Sequence, residues 1–162
     1  ARAVMAGAPL IFVGVFRNAQ PATIAKTVEA LNLAAVQLHG DEDAAYVEAL
    51  RALLPAGCQI WKAVGVTSGE PLPALDYPAD RLLLDTKVGS QSGGTGQAFD
   101  WAMLAGLDKS RLMLAGGLNP DNALLAARVG CLGLDFNSGV ESAPGQKDAH
   151  KLAAAFAALR TL

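Results

Sequence analysis

Short apolar runs alternate with helix-forming segments along the chain, and this alternation limits the possible folds more than any other feature. The runs are short, and one of them, Leu82–Leu84, has no polar alternation at all, which is typical of a strand buried on both faces. They recur every roughly 20 to 30 residues, as in α/β arrays whose parallel strands are joined by right-handed crossovers. The predicted strands are Leu10–Phe16, Ala35–Leu38, Gln59–Val64, Arg81–Leu84, Arg111–Ala115 and Leu132–Phe136.

The segments between these runs carry helix signals. A proline in the first turn starts one helix without loss of a hydrogen bond, and Leu152, Phe156 and Leu159 form an apolar stripe at helical spacing near the C-terminus. The predicted helices are Ala1–Ala8, one starting near Pro21, one opening with residues 40–43, Asp121–Val129 and Asp148–Leu162.

Asp85 directly follows the apolar run Leu82–Leu84 and precedes a glycine-rich segment that ends near Trp101. The carboxyl ends of parallel strands, and the loops after them, carry the chemistry in α/β sheets and barrels. The pattern therefore predicts an acid below a lid-like loop, although a helix-capping Asp followed by an ordinary turn fits it as well. The segment matches neither a Walker A sequence nor a dinucleotide-binding fingerprint. Its glycines are Gly89, Gly93, Gly94 and Gly96.

Glycine turns follow the last two predicted strands, at Gly116-Gly117 and at Ser138-Gly139. In a (β/α)₈ barrel the loops after the last two strands commonly form a phosphate site. Main-chain N–H groups of these turns, reinforced by helix N-termini, would hold a phosphate dianion without any lysine. The two turns therefore favour a barrel over a flat doubly wound sheet, which stays open as an alternative.

Composition excludes several classes of partner. The 162 residues carry a net charge of −2 and no basic run, which argues against nucleic acid or an anionic membrane as a partner. No apolar stretch reaches about 18 residues and no signal segment opens the chain, so we expect a single cytoplasmic domain over residues 1–162. Cys58 and Cys131 have no metal-binding spacing and are interpreted as small buried hydrophobic residues.

The remaining polar residues near strand ends have structural interpretations. The acidic residues 41–43 complement the dipole of the helix that they open, and we do not expect them to bind a metal. Lys62 is expected to be a structural ion-pair partner. Gln37 and His39 share one face of their strand and are expected to be structural polar residues.

Several sequence strings, in this order, resemble the phosphoribosylanthranilate isomerase family of tryptophan biosynthesis along nearly all 162 positions. The C-terminal string is especially similar to the form fused behind indole-3-glycerol-phosphate synthase in some bacteria. The strings are GVFRN (14–18), VQLHG (36–40), IWKAV (60–64), LLLDT (82–86) with GGTGQAFDW (93–101), LAGGLNPDN (114–122) and LDFNSGVESAPGQKD (134–148).

The resemblance implies an α/β fold of the TIM (β/α)₈ barrel type, of which this chain supplies six of eight βα units, with the first two missing. In the family the first strand carries a cysteine that acts as the general base, and the second unit carries an arginine for the anthranilate carboxylate. Neither motif occurs in this sequence. The chain alone is therefore expected to be inactive, and Cys131 lies at the wrong end of its predicted strand to replace the base.

The resemblance also implies a reaction: an Amadori rearrangement of N-(5-phosphoribosyl)anthranilate to 1-(2-carboxyphenylamino)-1-deoxyribulose 5-phosphate, without cofactor or metal. Asp85 matches the family's general acid, which protonates the furanose ring oxygen. Asp135 matches a strand-end carboxylate that binds substrate, although a purely structural acid is the alternative. Gly116, Gly117, Ser138 and Gly139 would bind the phosphate.

Two other interpretations stay open: another phosphate-binding sugar-phosphate barrel enzyme, and a non-catalytic half-barrel that associates with a complementing segment. The expected partners are a small phosphorylated substrate and either an N-terminal indole-3-glycerol-phosphate synthase domain or a second copy of the chain. Self-association is expected because Leu10–Phe16 and Leu132–Phe136 would have unpaired edges.

Overall fold

A computed structural model of the chain describes residues 10–88, 91–92 and 98–161. The predicted helix Ala1–Ala8 and the predicted loop glycines Gly89, Gly93, Gly94 and Gly96 lie outside the described residues. The strands are β1 (Val13–Phe16), β2 (Ala35–Leu38), β3 (Gln59–Val66), β4 (Arg81–Val88), β5 (Gln91–Ser92), β6 (Leu112–Leu114), β7 (Gly133–Leu134), β8 (Glu141–Ala143) and β9 (Gln146–Lys147). The helices are α1 (Pro21–Leu31), α2 (Ala44–Arg51), α3 (Ala123–Arg128) and α4 (Ala149–Leu159), and short 3₁₀ helices cover Trp101–Leu104 and Ser138–Val140.

The residues fall into two compact units. The first unit lies within Ala1–Ala63 and Ala74–Leu82, and the second lies within Val64–Pro73 and Leu83–Leu162. Since β3 and β4 each contribute residues to both, the division does not follow the boundaries of the strands.

In the first unit, β1 pairs in parallel with β2, and β2 pairs in parallel with the first part of β3. The central strand β2 is buried along its whole length. Helix α1 begins at Pro21, where the missing N–H is tolerated, and it buries Ile24 and Val28. These packed faces confirm the parallel α/β organisation that the alternating pattern predicts for this part of the chain.

In the second unit, β4, β6 and β7 are consecutive in the hydrogen-bonded strand order, and β6 and β7 are parallel. The apolar run of β4 is buried, with Leu82, Leu83 and Leu84 at most 1% exposed. After β7 the chain forms a separate antiparallel hairpin of β8 and β9, which the sequence analysis did not predict.

The first predicted strand is wrong in its start and in its burial. Strand β1 begins at Val13, and Leu10 and Ile11 before it are 71% and 81% exposed. Val15 within β1 is 63% exposed. Strand β1 stands at one end of the strand order, so one of its edges has no partner among the described strands. The last predicted strand is also too long, since β7 spans two residues.

The predicted strand at Arg81–Leu84 is too short. Strand β4 continues through Thr86 to Val88, so Asp85 lies inside the strand rather than just after it. The extension exists because Lys87 and Val88 pair with Ser92 and Gln91 of β5 in an antiparallel hairpin. The apolar run therefore marks only the buried part of the strand.

Two helix predictions need correction at their starts. Helix α2 begins at Ala44 with Asp43 as its N-cap, whose carboxylate accepts the Tyr46 N–H at 2.8 Å. The acidic residues 41–43 therefore precede the first turn and do not form it. Helix α3 begins at Ala123, not at Asp121, because the residues before it form a hydrogen-bonded turn.

The C-terminal helix α4 has the predicted cap but a different buried face. The Asp148 side chain accepts the N–H groups of His150 and Lys151. Phe156, predicted to face the core, is 60% exposed, whereas Ala155 is 2% exposed. The tight packing of this helix therefore uses a small side chain, and the large aromatic side chain is left at the surface.

None of the helices in the described ranges is long and apolar enough to cross a membrane.

Candidate active site

Asp85 is a buried carboxyl group in the second unit. It is 5% exposed and lies in β4 between Leu84 and Thr86. The Leu84 carbonyl accepts the Ala115 N–H at 2.9 Å, which places the end of β6 next to Asp85. The carboxyl group that the sequence predicted thus lies beside the turn that follows the neighbouring strand β6.

The Gly116-Gly117 turn packs directly against the residue that follows Asp85. Both glycines have positive φ, at 78° and 67°, a region that other residues rarely adopt. A Cβ on Gly116 would lie 2.4 Å from both the N and the Oγ1 atoms of Thr86. Glycine is therefore required at position 116 by backbone conformation and by contact, and the turn lies at the same edge as Asp85.

Thr86 connects three parts of this site, and the sequence analysis did not single it out. Its side chain is buried, and its Oγ1 accepts the Phe99 N–H at 3.1 Å. Phe99 is itself buried. Thr86 thus fixes the chain where it returns from the glycine-rich segment, while it also contacts Gly116. The position directly after Asp85 in the string LLLDT was the only signal available for it.

Two asparagines hold the Gly116-Gly117 turn. The side-chain amides of Asn119 and Asn122 donate to the Gly117 carbonyl at 3.3 and 3.0 Å. The Asn119 carboxamide oxygen accepts the N–H groups of Asp121 and Asn122, as asparagine commonly does in turns. Because Asn122 is also the N-cap residue of α3, this network joins the first glycine turn to the start of that helix.

The second turn, Ser138-Gly139, contacts the first turn. A Cβ on Gly139 would lie 1.9 Å from the carbonyl oxygen of Leu118, so only glycine allows this approach. The turn forms a single turn of 3₁₀ helix and not the start of a long helix. The two predicted phosphate turns are therefore adjacent, and the second one starts a single 3₁₀ turn where a longer helix was predicted.

Asp135 follows β7 and belongs to the same edge of the second unit. Its N–H donates to the Leu114 carbonyl at 2.8 Å, and Leu114 pairs with Leu134. Asp135 is half-buried. The structure therefore places all six predicted site residues on or next to consecutive strands of one unit.

Main-chain donors are available in both turns. Across the ranges that the structure describes, the N–H groups of Gly116, Gly117, Ser138 and Gly139 donate to no backbone or side-chain acceptor. Unpaired backbone N–H groups that converge in a turn can bind an anion. No group of three or more His, Cys, Asp or Glu side chains suited to a metal occurs among the described residues.

Comparison with known proteins identifies the family. A model of the family described as N-(5'phosphoribosyl)anthranilate (PRA) isomerase matches residues 1–158 of the chain. The chain belongs to the phosphoribosylanthranilate isomerase family. This match confirms the resemblance inferred from the sequence strings.

Relatives and solved structures agree with this family assignment. The tryptophan biosynthesis protein TrpCF of Vibrio parahaemolyticus is 56% identical over 160 residues, which cover 99% of this chain and 33% of that protein. The chain thus spans about one third of the length of the curated relatives that it matches. The phosphoribosylanthranilate isomerase of Thermus thermophilus matches with a TM-score of 0.83 and 37% identity, over 99% of this chain and 78% of that chain.

A second isomerase structure of the family, solved with reduced 1-(o-carboxyphenylamino)-1-deoxyribulose 5-phosphate, matches with a TM-score of 0.75 and 28% identity over 99% of this chain and 78% of that chain. Together with the parallel strands, these likenesses confirm that the chain has the parallel α/β fold of TIM type found in phosphoribosylanthranilate isomerases.

A buried ion pair in the first unit confirms the structural role predicted for Lys62. The Lys62 Nζ lies 3.2 Å from Glu42 Oε2 and 2.7 Å from the Gly40 carbonyl, and both charged side chains are at most 3% exposed. Glu42 also accepts the N–H groups of Asn18 at 2.7 Å and Gly40 at 2.9 Å. Glu42 thus anchors the loop after β2.

The cysteines in this isomerase-family chain are poor candidates for a base. Cys58 is buried and Cys131 is half-buried. Burial raises the pKa of each thiol, more than the opposing effects of nearby Arg51 and Lys109 lower it, so both are protonated at neutral pH. Cys131 precedes β7 whereas Asp135 follows it, so the thiol is at the opposite end of this strand.

Stability is expected to fall on acidification because of Glu42. Burial favours its neutral form, but the N–H groups of Asn18 and Gly40 and the Lys62 ammonium outweigh this and lower the pKa of Glu42 below its ordinary value of 4.5. The unfolded chain therefore takes up this proton first as the pH falls. The stabilisation from Glu42 is fully present above about pH 4.5 and is lost as the pH falls through the folded-state pKa. Over that range the free energy of unfolding falls by about 1.4 kcal/mol per pH unit for one proton.

Urea unfolding between pH 3 and pH 6 measures this dependence. The Glu42→Gln variant should show a smaller slope over that range than the unchanged chain. The Glu29→Gln variant, which alters an exposed carboxyl on α1, should keep the original slope. Equal slopes for the unchanged chain and Glu42→Gln would contradict the assignment.

The contact between the two turns predicts a cost for Gly139→Ala. The added methyl group would meet the Leu118 carbonyl oxygen, so the backbone has to shift, and overpacking of this kind costs about 1–3 kcal/mol. The control is Gly65→Ala, whose Cβ would make only an ordinary 3.4 Å contact with Lys87. Urea unfolding should separate the two variants by at least about 1 kcal/mol, and equal midpoints would show that the turns are not in tight contact.

Proposed function

We propose that this chain is the larger, C-terminal part of an N-(5-phosphoribosyl)anthranilate isomerase that acts in tryptophan biosynthesis. The observation that carries the proposal is the contact of the Gly116 turn with Thr86, next to the buried carboxyl of Asp85, in a chain that belongs to this family. Such a site pairs an acid with an anion-binding turn, which is what an acid-catalysed reaction of a sugar phosphate requires.

The proposed reaction is an Amadori rearrangement. The main-chain N–H groups of Gly116, Gly117, Ser138 and Gly139 bind the phosphate of the substrate. The carboxyl group of Asp85 then donates its proton to the furanose ring oxygen, and the C1–O bond breaks to give an open-chain Schiff base. A base removes the proton from C2, and the resulting enolamine tautomerises to the aminoketose, so the substrate and the product are isomers.

Asp135 is the proposed second substrate contact. It lies beside Leu114 at the end of β7, close to the turn that starts after β6. A carboxylate there can accept hydrogen bonds from sugar hydroxyls. The proposed chemistry uses proton transfers only and calls for no cofactor or metal.

The general base and the site for the anthranilate carboxylate are proposed to come from a segment that precedes this sequence in the family. The six predicted βα units would then be units three to eight of the barrel, in line with the 78% of the Thermus thermophilus chain that is covered. By analogy with the longer TrpCF relatives, an indole-3-glycerol-phosphate synthase domain is a proposed covalent partner.

The test compares three samples: the chain alone, the chain mixed with the preceding segment of the Vibrio parahaemolyticus relative, and the chain joined behind that segment. The last sample is called the joined protein below. We expect isomerase activity in the joined protein, weaker activity in the mixture and none in the chain alone. An inactive joined protein that is folded would refute the proposal, and activity in the chain alone would refute the assignment of the base to the preceding segment.

A further inference from the structure

Lys147 makes three close contacts that the proposed reaction does not use. Its Nζ lies 2.6 Å from Asn137 Oδ1, 3.0 Å from the Asn137 carbonyl and 2.6 Å from Glu141 Oε1. An ammonium group has three donors, so each donor has an acceptor. The side chain is nevertheless 42% exposed, and therefore its position is set by these contacts and not by burial.

The two oxygens of Asn137 matter because this residue directly precedes the Ser138-Gly139 turn. Its backbone angles, φ −124° and ψ −101°, are neither helical nor extended, so no regular secondary structure fixes the chain direction there. The Asn137 carbonyl also accepts the Val140 N–H at 3.3 Å, which closes the turn. Lys147 thus holds the start of the turn by hydrogen bonds to both the main-chain and the side-chain oxygen of Asn137.

The hairpin that carries Lys147 is anchored at both ends. Glu141 in β8 pairs with Lys147 in β9, and its Oε2 accepts the Gly145 N–H at 3.2 Å. The Lys147 ammonium and this N–H lower the pKa of Glu141, so the carboxylate is charged at neutral pH. The Asp148 N–H then donates to the Val140 carbonyl at 2.8 Å, which ties the end of the hairpin back to the turn.

A second lysine provides an internal comparison. Lys151 also donates to this hairpin, with its Nζ 2.7 Å from the Glu141 carbonyl, but it makes no contact with Asn137 among the described residues. The two lysines carry the same charge and bind the same short segment. They differ in whether the hydrogen bonds reach the residue that starts the turn.

We infer that Lys147 is a positioning residue for anion binding: by holding Asn137, it sets the direction of the Ser138 and Gly139 N–H groups toward a phosphate group. This inference rests on the proposed phosphate-binding role of that turn. Main-chain donors act on an anion only if they point at it, and a lysine bound to three oxygens fixes that direction before the ligand arrives. Affinity gained by such preorganisation appears in ligand binding more than in the proton-transfer step.

The test measures phosphate affinity in the joined protein, with inorganic phosphate as the calorimetric probe. Lys147→Met is expected to weaken phosphate binding about tenfold, the loss of about 1.4 kcal/mol, and Lys147→Arg should remain within about threefold of the original. Lys151→Met is the matched control and should stay within about twofold. In the isomerase assay Lys147→Met should raise KM with kcat changed less than about threefold.

These readouts separate the inference from the proposed function, because phosphate binding is measured whether or not the protein turns over its substrate. Absence of isomerase activity with normal phosphate binding would refute only the proposed function. Equal weakening by Lys147→Met and Lys151→Met, or a fall in kcat without a change in phosphate affinity, would overturn the inference. If Lys147→Met does not fold, Lys147→Gln replaces it, and undiminished phosphate affinity in that variant would overturn the inference as well.

Discussion

Asp85→Asn is expected to lower kcat/KM of the joined protein by about 10²- to 10⁴-fold, the range that a positioned general acid supplies. Asparagine has nearly the same size and shape as aspartate, so it fits the buried position in β4 but has no acidic proton to give to the ring oxygen. The loss should fall mainly on kcat, because the proposed phosphate contacts come from main-chain N–H groups that the substitution does not alter. Steady-state kinetics of the isomerase reaction provide the measurement.

Asp108→Asn is the control for this substitution. Asp108 is exposed and its carboxylate bonds only the nearby Ser110 among the described residues, so its replacement should leave activity within about twofold. Urea unfolding of both variants checks that any loss of activity is not a loss of fold. Activity of Asp85→Asn within threefold of the original would rule out Asp85 as the acid.

Lys62→Met is expected to lower the free energy of unfolding by about 3 kcal/mol, at the lower end of the roughly 3–5 kcal/mol for removal of one partner of a buried ion pair. The substitution leaves the Glu42 carboxylate and the Gly40 carbonyl without the ammonium. The cost stays at the lower end because Glu42 keeps its two main-chain hydrogen bonds. Urea unfolding of the chain at neutral pH gives the value.

Two further variants test whether the buried ion pair is the cause of this loss of stability. Lys26→Met removes an exposed lysine from α1 and should change stability by no more than about 0.5 kcal/mol. The double variant Lys62→Met/Glu42→Gln removes both charges but keeps a side-chain oxygen as an acceptor for a main-chain N–H group of Asn18 or Gly40, and it should be more stable than Lys62→Met alone because no unpaired charge remains buried. If the double variant loses as much free energy of unfolding as the two single variants together, the pair itself is not the source of the stability.

The order and type of the elements could be predicted because local signals agree with the fold. The run Leu82–Leu84 is buried, Pro21 starts a helix, and Asp148 caps one, as the sequence indicates. Each of these signals depends on the residue type and its nearest neighbours only. Such signals survive in any tertiary context that buries the apolar face.

Element ends and burial at the sheet margins could not be predicted, since they depend on contacts between distant segments. Strand β4 extends past Asp85 because it pairs with β5, and Val15 is exposed although it lies in an apolar strand. No composition rule contains this information. An apolar run alone indicates a buried strand whether or not a neighbour is present.

The candidate site shows the same limit. Asp85 and the glycine turns could be found from strand ends and turn composition, whereas Thr86 and Lys147 could not. Thr86 acts through Phe99 and Gly116, and Lys147 acts through Asn137, and each contact joins residues that are 10 or more positions apart. A buried threonine or a half-exposed lysine has no distinctive pattern in the sequence.

The approach of Gly139 to Leu118 leaves no space for even one methyl group between the two glycine turns. The turns are therefore coupled mechanically, and neither can be redesigned by itself. A protein engineer who moved these two loops into another protein would have to transfer them together, with the spacing of their parent strands preserved.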